Sequence, residues 1–118
     1  MLGVQYTKRG EAMSLKDYQK EVDDWAQELE KPYWSPLSQV ARMIEEMGEL
    51  ARIYNHKYGD KIKKDSESPD DMEDEMGDIL FDLICMANVE GVDLDKAFKK
   101  VMEKSYIRDK DRFAKKRK

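Results

Sequence analysis

Apolar residues recur every three or four positions in four separate stretches of the chain. That period is typical of amphipathic α-helices, and no stretch alternates with the two-residue period of a β-strand. The expected core-facing positions of the four helices are, in chain order, Leu15, Tyr18, Val22, Trp25 and Leu29; Leu37, Val40, Ala41, Ile44, Met47, Ala51 and Tyr54; Met72, Met76, Ile79, Leu80, Leu83, Ile84 and Ala87; and Ala97, Phe98, Val101 and Met102. The pattern predicts an all-α protein.

Capping and helix-breaking residues indicate where these helices begin and end. A Ser or Asp side chain accepts a hydrogen bond from the first helical amides, Pro fits the first helical position, and Gly is favoured just past the end. The expected N-caps are Ser14, Ser35 (followed by Pro36) and Asp93, the expected terminators are Gly59 and Gly91, and the third helix is expected to begin near Asp70. Short connections predict antiparallel neighbours in a four-helix bundle-like domain.

The length of the chain, 118 residues, suits a single domain. Residues 1–13 lack the helical period and are expected to form a flexible lead-in. The helical domain is expected to span residues 14–113. Residues 114–118 form a basic tail.

Composition and charge narrow the class of protein further. The single cysteine, Cys85, excludes an internal disulfide and is typical of a reducing compartment. No apolar run reaches the roughly 20 residues of a membrane-spanning helix. We therefore expect a cytoplasmic protein that does not bind membranes. The formal net charge is −4, so the chain outside its basic tail would repel a nucleic-acid duplex, and no specific nucleic-acid binding is expected.

Two similar acidic segments lie within the second and third predicted helices. EEMGEL spans residues 45–50, and DEMGDI spans residues 74–79. Residues three apart share one face of a helix, so Glu46 projects with Glu49, and Glu75 projects with Asp78. Both pairs lie on or beside faces that should pack, where unpaired carboxylates are costly. A hard divalent cation such as Mg²⁺ takes oxygen ligands and would neutralise them.

Each acidic segment also contains an interior glycine, Gly48 or Gly77. Glycine inside a helix costs about 1 kcal/mol relative to alanine. Both positions are therefore expected to mark a close approach of a backbone, a metal or a ligand.

Two other classes of protein are compatible with acidic helices. In the first, the acids are solvated faces of a non-enzymatic helical oligomerisation or interaction protein. The second is a di-iron carboxylate bundle, which requires Glu-x-x-His on two helices. The single histidine, His56, is not in that spacing, and this class is disfavoured.

The two acidic motifs, in this order and context, resemble the signature of the MazG-like all-α nucleoside triphosphate pyrophosphohydrolases, an EExxE helix followed by an ExxD helix. The resemblance covers about residues 14–113 and is nearest to the short single-domain members. It includes SP before the second helix, NHKYG at its end and KSYIRDKDRF near the end of the fourth. It implies Mg²⁺-dependent hydrolysis of a ribo- or deoxyribonucleoside triphosphate to the monophosphate and pyrophosphate, with Mn²⁺ able to substitute, in nucleotide-pool housekeeping.

The resemblance also implies roles for individual residues. The motif acids of such enzymes bind the metal, and an additional acid orients or deprotonates the attacking water; that acid here is Glu45. The implied metal ligands are Glu46, Glu49, Glu75 and Asp78. The implied phosphate contacts are Lys57, Lys104, Arg108 and Arg112, with Lys110 as a further candidate, and the implied base contacts are Trp34 and His56.

One position of the chain departs from the family pattern. Many relatives have Asn where this chain has Tyr106, which alters the polar contacts expected with the substrate.

Relatives of this family assemble into homo-oligomers, and a four-helix unit of this length leaves apolar surface exposed. We therefore expect a homo-oligomer, a dimer or tetramer, with sites completed across the interface.

Overall fold

The computed structural model describes residues 12–116 and contains the four predicted helices. They are α1 (Leu15–Ala26), α2 (Pro36–Tyr58), α3 (Met72–Glu90) and α4 (Leu94–Arg108). No strand occurs between residues 12 and 116, and the all-α prediction is confirmed. Most of the predicted lead-in (residues 1–11) and the end of the basic tail (117–118) lie outside the described residues.

Local side-chain chemistry begins each helix. Ser14 forms a capping box with Asp17, since the Ser14 hydroxyl accepts from the Asp17 amide and the Asp17 carboxylate accepts from the Ser14 amide, both at 3.0 Å. Ser35 caps α2 and Asp93 caps α4 as predicted. The third helix begins at Met72, two residues after Asp70, because the Asp71 side chain accepts from the Asp74 amide and caps α3.

Two helix ends refine the predicted boundaries. Gly91 ends α3 with a positive φ of 69°, a left-handed conformation that glycine adopts without steric cost. By contrast, α1 ends at Ala26, so Leu29 lies beyond the helix and not on its stripe. The following Pro32 and Pro36 keep the connection from continuing as helix.

The helices α2 and α3 form the main packing pair, α1 packs on α3, and α4 packs on α1. Polar side chains fix the last two contacts. The Asp95 carboxylate accepts from the first amides of α1, and Gln19 of α1 donates to Asn88 and to the Val92 carbonyl. Gln19 also accepts from the Leu94 amide, which ties α1 to the start of α4.

The buried apolar core of the described chain is small. It consists of Ala26, Ile53, Ile84, Cys85 and Ala87. None of the helices in residues 12–116 combines the length and apolar character that a membrane crossing requires.

Several residues predicted to face the core are exposed in this single chain. On α2, Leu37 is 80% and Ile44 is 66% exposed, and on α4 Phe98 and Val101 are each more than half exposed. The predicted core side of α2 is therefore wrong for one chain taken alone. The helix turns a different face toward α3, and that face carries Glu46.

Candidate active site

The interface between α2 and α3 is built from polar and apolar residues spaced two helical turns apart. On α2, Gln39 and Ile53 are buried and Glu46 between them is half-buried. On α3, Glu75 is half-buried and Asp82 is buried. Seven residues span about two turns, so each series lies on one face of its helix. The packing of α2 on α3 thus places carboxylates between the two helices.

Three carboxylates from these helices converge. Glu46, Glu75 and Asp78 each offer one oxygen, and the three oxygens lie within 4.8 Å of one another. Oxygen ligands sit about 2.1 Å from Mg²⁺, so a small adjustment would bring all three onto one ion. The donor set contains only oxygen, which suits a hard divalent cation. The convergence of acids predicted from the two motifs is confirmed for these three residues.

Glu75 is the acid most affected by this crowding. Its pKa is raised from an ordinary 4.5 to about 7, first by close contact with the Glu46 carboxyl, then by burial, and then by the charges of Glu46, Asp78 and Glu49. No hydrogen bond of ordinary geometry joins the two glutamates among the described residues, and Glu75 Oε2 is buried without a partner. An orphaned carboxylate oxygen in a group of acids fits the coordination of a cation.

The fourth motif acid, Glu49, points to a different partner. The Arg52 guanidinium donates to Glu49 Oε2 and also lies 3.8 Å from Glu67 in the connector between α2 and α3. Glu49 is not one of the three acids whose oxygens converge. Its side chain is 45% exposed, and Arg52 holds one of its two oxygens, Oε2.

A second polar group lies one turn further along α3, where Asp82 is 1% exposed. Gln39 Nε2 donates to Asp82 Oδ1 at 3.1 Å, and Arg42 Nε lies 3.5 Å from the same oxygen. Asp82 Oδ2 has no hydrogen-bond partner among the described residues. Burial raises the pKa of Asp82, while the Arg42 guanidinium acts in the opposite direction. A buried acceptor left without a partner costs about 1–3 kcal/mol.

Arg42 connects Asp82 to the acid cluster. Its guanidinium lies 3.7 Å from Glu46 Oε1 as well as near Asp82, and it stacks 5.0 Å from the ring centre of Trp34. One arginine thus contacts an acid of the cluster, the buried aspartate and an aromatic ring. It also compensates part of the negative charge of both carboxylates.

Beside Asp82 lies a cavity of about 210 Å³. Its walls include the only two tryptophans of the chain, Trp25 and Trp34, together with Phe81, Arg42 and Asp82. A neighbouring cleft shares Trp34 and Arg42 with this cavity and is also lined by the cluster acid Glu46. The aromatic cavity and the acidic cluster are therefore adjacent.

His56 belongs to a separate network at the end of α2. Its side chain is 5% exposed, with Nδ1 3.0 Å from Asp70 and Nε2 3.6 Å from Glu67. Because Glu67 also pairs with Arg52, the network links Glu49 to the α2–α3 connector. In this chain His56 therefore holds the connector against the end of α2.

Comparison with known proteins shows the family to which this chain belongs. The model of the MazG nucleotide pyrophosphohydrolase domain matches residues 34–113, which contain both acidic motifs. This chain belongs to the MazG family. It is 48% identical over 103 residues to the uncharacterized protein YpjD of Bacillus subtilis (strain 168), covering 87% of this chain and 93% of that protein.

Two crystal structures of relatives have a similar fold. The structure of the Bacillus-conserved MazG protein, a nucleotide pyrophosphohydrolase, gives a TM-score of 0.69 at 48% identity, covering 86% of this chain and 98% of that one. The structure of YpjD from Bacillus subtilis gives 0.70 at 46% identity, covering 80% and 96%. This chain is similar to both relatives over almost their whole length.

The structure places the remaining predicted MazG site residues in several regions. Glu45 is exposed and lines the cleft next to Glu46 and Trp34. Lys57 is exposed at the end of α2 and stacks on Tyr58. On α4 and after it, Arg108 and Arg112 both pair with Asp109, and Lys104 is exposed. Within residues 12–116, no ion pair joins these four basic residues to the acid cluster.

The two interior glycines of the MazG motifs face open space in this chain. A Cβ atom added at Gly48 or at Gly77 would meet no atom of another element within 4 Å. The expected close approach is therefore not made by the described part of the same chain.

Three residues of the site, Gln39, Arg42 and Asp82, were not identified from the sequence as functional candidates. A usable signal was present, because Asp82 follows Asp78 by four residues and therefore lies on the same face. The contact of Arg42 with Asp82 instead of solvent depends on how α2 is rotated against α3, which the spacing alone does not determine.

Proposed function

We propose that this MazG-family chain is a Mg²⁺-dependent nucleoside triphosphate pyrophosphohydrolase. It would cleave the bond between the α- and β-phosphates of a ribo- or deoxyribonucleoside triphosphate, releasing the monophosphate and pyrophosphate in nucleotide-pool housekeeping. The observation that carries the proposal is the convergence of Glu46, Glu75 and Asp78 within 4.8 Å. Family membership and similarity to a nucleotide pyrophosphohydrolase support the reaction class.

The residues fit a Mg²⁺ or Mn²⁺ ion. Glu46, Glu75 and Asp78 would hold it through carboxylate oxygens, and Glu49 would join them on release from Arg52. When bound, such an ion supplies neutralisation of phosphate charge and lowers the pKa of a coordinated water. The orphaned Glu75 oxygen and the crowding that raises the pKa of Glu75 support this role.

Residues beside the cluster would bind and orient the substrate and the water. Glu45 projects into the cleft next to Glu46 and is proposed to orient or deprotonate the attacking water. The exposed Lys57, Lys104, Arg108 and Arg112 are proposed to bind phosphate oxygens, which carry the negative charge that basic side chains recognise.

The proposed base contacts differ in how the structure supports them. Trp34 is 53% exposed and stands beside Arg42 at the cleft, where an aromatic face can stack on a base. His56 is almost covered and already contacts two carboxylates, so base contact by His56 would require the connector to move.

Assembly into a homo-oligomer, a dimer or tetramer, is part of the proposal. The exposed apolar positions of α2 include Leu37, Ile44 and Met47, which lie at helical spacing along one face. A second copy packed on that face would remove it from water and would come near Gly48. A cytoplasmic location is also proposed, since the free thiol of Cys85 is compatible with a reducing compartment.

The exposed apolar face also favours a second candidate, a non-enzymatic helical interaction protein. In that case the acids would be merely solvated and would bind no cation in stoichiometric amount. Calorimetric titration with Mn²⁺ separates the two, because only the enzyme requires a discrete site on Glu46 and Glu75.

A screen of ribo- and deoxyribonucleoside triphosphates with Mg²⁺ tests the proposed reaction. Pyrophosphate and orthophosphate are measured separately for each nucleotide. We expect pyrophosphate with an equal amount of monophosphate. Release of orthophosphate as the main product would show that another bond is broken.

A further inference from the structure

The cavity beside the acid cluster contains one buried polar atom that no part of the described chain satisfies. Asp82 is 1% exposed and lines the cavity, and its Oδ2 has no hydrogen-bond partner. Its other oxygen, Oδ1, accepts from Gln39 and lies near the Arg42 guanidinium. Buried polar atoms in folded proteins are nearly always paired, and the exceptions are often functional. The Oδ2 atom is therefore an unsatisfied acceptor on a residue that lines the cavity.

The shape and lining of the cavity indicate a flat aromatic ligand. A volume of about 210 Å³ corresponds to roughly seven water molecules at ~30 Å³ each, which is enough for one heterocyclic ring. Trp25, Trp34 and Phe81 supply aromatic surface on its walls, and the Trp34 ring already stacks with Arg42. Aromatic side chains stack on any nucleobase, so these walls alone would not distinguish one base from another.

The position of the cavity is suited to the base of a nucleotide whose phosphates lie at the acids. Asp82 follows Asp78 by four residues on α3, about 6 Å along the helix axis. Arg42 reaches both Asp82 and Glu46, and the cleft lined by Glu46 shares Trp34 and Arg42 with the cavity. One molecule could therefore contact both sites.

We propose that Asp82 Oδ2 accepts a hydrogen bond from an exocyclic amino group of the nucleobase, so that the chain selects amino-substituted bases over their oxo counterparts. This inference rests on the proposed nucleotide substrate and adds the part of the base that is recognised. Cytosine and adenine carry such an amino group. Uracil and hypoxanthine carry a carbonyl oxygen at the same position, which would face a second acceptor and leave Oδ2 unsatisfied.

Asp82→Asn reverses the hydrogen-bonding character at this position. Gln39 donates to Oδ1 and the Arg42 guanidinium lies 3.5 Å from it, so the asparagine carbonyl oxygen would remain there and its amide nitrogen would occupy the Oδ2 position. That nitrogen is a donor and suits a carbonyl oxygen. Asp24→Asn is the matched control, because Asp24 is exposed on α1 and pairs with Lys20 outside the cavity.

The first experiment measures kcat/KM for the cytidine and uridine triphosphates and for the adenosine and inosine triphosphates, with Mg²⁺. In whichever pair is hydrolysed faster, we expect the wild-type chain to prefer the amino member by at least about tenfold. Asp82→Asn should reverse that preference, and Asp24→Asn should keep it. Equal rates for the two members of the pair in the wild-type chain would overturn the inference, whether or not the variant folds. An unchanged preference in a folded Asp82→Asn chain would also overturn it.

A second experiment does not depend on hydrolysis. Both tryptophans of the chain line the cavity, so fluorescence quenching by cytidine, uridine, adenosine and inosine monophosphates reports on its occupancy without turnover. Tighter binding of the amino member of either pair, lost in Asp82→Asn, supports base recognition even if no triphosphate is cleaved. Failure of all four monophosphates to bind would contradict it. Absence of cleavage with preserved selective quenching would instead count against the proposed reaction alone.

Discussion

Individual carboxylates between α2 and α3 differ mainly in the partners that they have. Asp82 has Gln39 and Arg42 on one oxygen, whereas Glu75 has an oxygen with no partner and a neighbour of the same charge. Like charges at close range disfavour the ionised form, and a bound cation removes that penalty. The same crowding that destabilises the metal-free chain is thus what prepares it to bind a cation.

Removing one carboxylate of the cluster should abolish tight cation binding. We expect Glu75→Gln to weaken Mn²⁺ binding at least about 100-fold, because loss even of groups that only support a ligand costs 10–100-fold. Isothermal titration calorimetry measures the change. Glu73→Gln, which alters an exposed acid in the same first turn of α3, should bind Mn²⁺ as the wild type does. Equal affinity in the two variants would contradict the assignment.

The raised pKa of Glu75 predicts a pH dependence of stability for the metal-free chain. Between about pH 4.5 and 7 the folded chain holds a proton on Glu75 that the unfolded chain has released. Folding then takes up a proton, so the free energy of unfolding should fall as the pH rises through this window.

Urea unfolding with a chelator at several pH values between 5 and 8 measures this dependence. Glu75→Gln cannot release the proton, and its stability should fall less over the same range. A slope of the same size in both chains would show that Glu75 does not titrate in this window.

At the scale of helices, contacts at the ends of α2 fix the connector that precedes α3. His56 lies between Glu67 and Asp70, and Arg52 joins Glu67 to Glu49. The connector is otherwise largely exposed, so these contacts set its path. The network therefore couples the start of α3, where Glu75 lies, to the last turns of α2.

Loss of the His56 side chain should release this connector. We expect His56→Ala to reduce the free energy of unfolding by about 1–3 kcal/mol, because Glu67 and Asp70 both lose their contact with the buried imidazole. Hydrogen exchange should become faster in residues 61–69. Lys57→Ala changes the adjacent exposed residue and should have little effect on either quantity. Unchanged protection of the connector in His56→Ala would show that the contacts do not hold it.

For the whole molecule, the main feature is apolar surface that one chain leaves in water. Leu37, Ile44 and Met47 lie along one side of α2, and Phe98 and Val101 are exposed on α4. Apolar stripes of this kind on neighbouring turns mark surfaces for association. The small buried core of the single chain is consistent with the same conclusion.

A charge placed on the α2 stripe should weaken self-association. We expect the wild-type chain to sediment as a dimer or tetramer at micromolar concentration, and Ile44→Glu to shift it toward the monomer by at least about tenfold in dissociation constant. Ile62→Glu is the control, since Ile62 is 87% exposed in the connector and lies off the stripe. A monomeric wild-type chain would remove the basis for shared sites.

The sequence allowed the helices and their caps to be predicted because those features are local. Ser35, Pro36 and Gly59 bound α2 as expected, and the convergence of Glu46, Glu75 and Asp78 followed from their spacing. The orientation of α2 was predicted less well, because the helix has apolar residues on two sides. Packing decides which side of α2 faces α3, and the other side is largely exposed in the described chain.

The polar contacts across helices could not be predicted from spacing. Arg52 is three residues from Glu49 and pairs with it locally, but its second contact, Glu67, lies in the connector. Similarly, the contact of Arg42 with Asp82 depends on the tertiary arrangement. Long side chains of this type have several acids within reach, and the fold selects among them.

Phosphorus NMR of one nucleoside triphosphate mixed with Mg²⁺ and either the wild-type chain or Glu75→Gln tests the central claim most directly. The account predicts signals of the monophosphate and pyrophosphate in equal amounts with the wild-type chain, no orthophosphate, and no turnover with Glu75→Gln. Orthophosphate as the main product, or equal turnover by the folded variant, would contradict it.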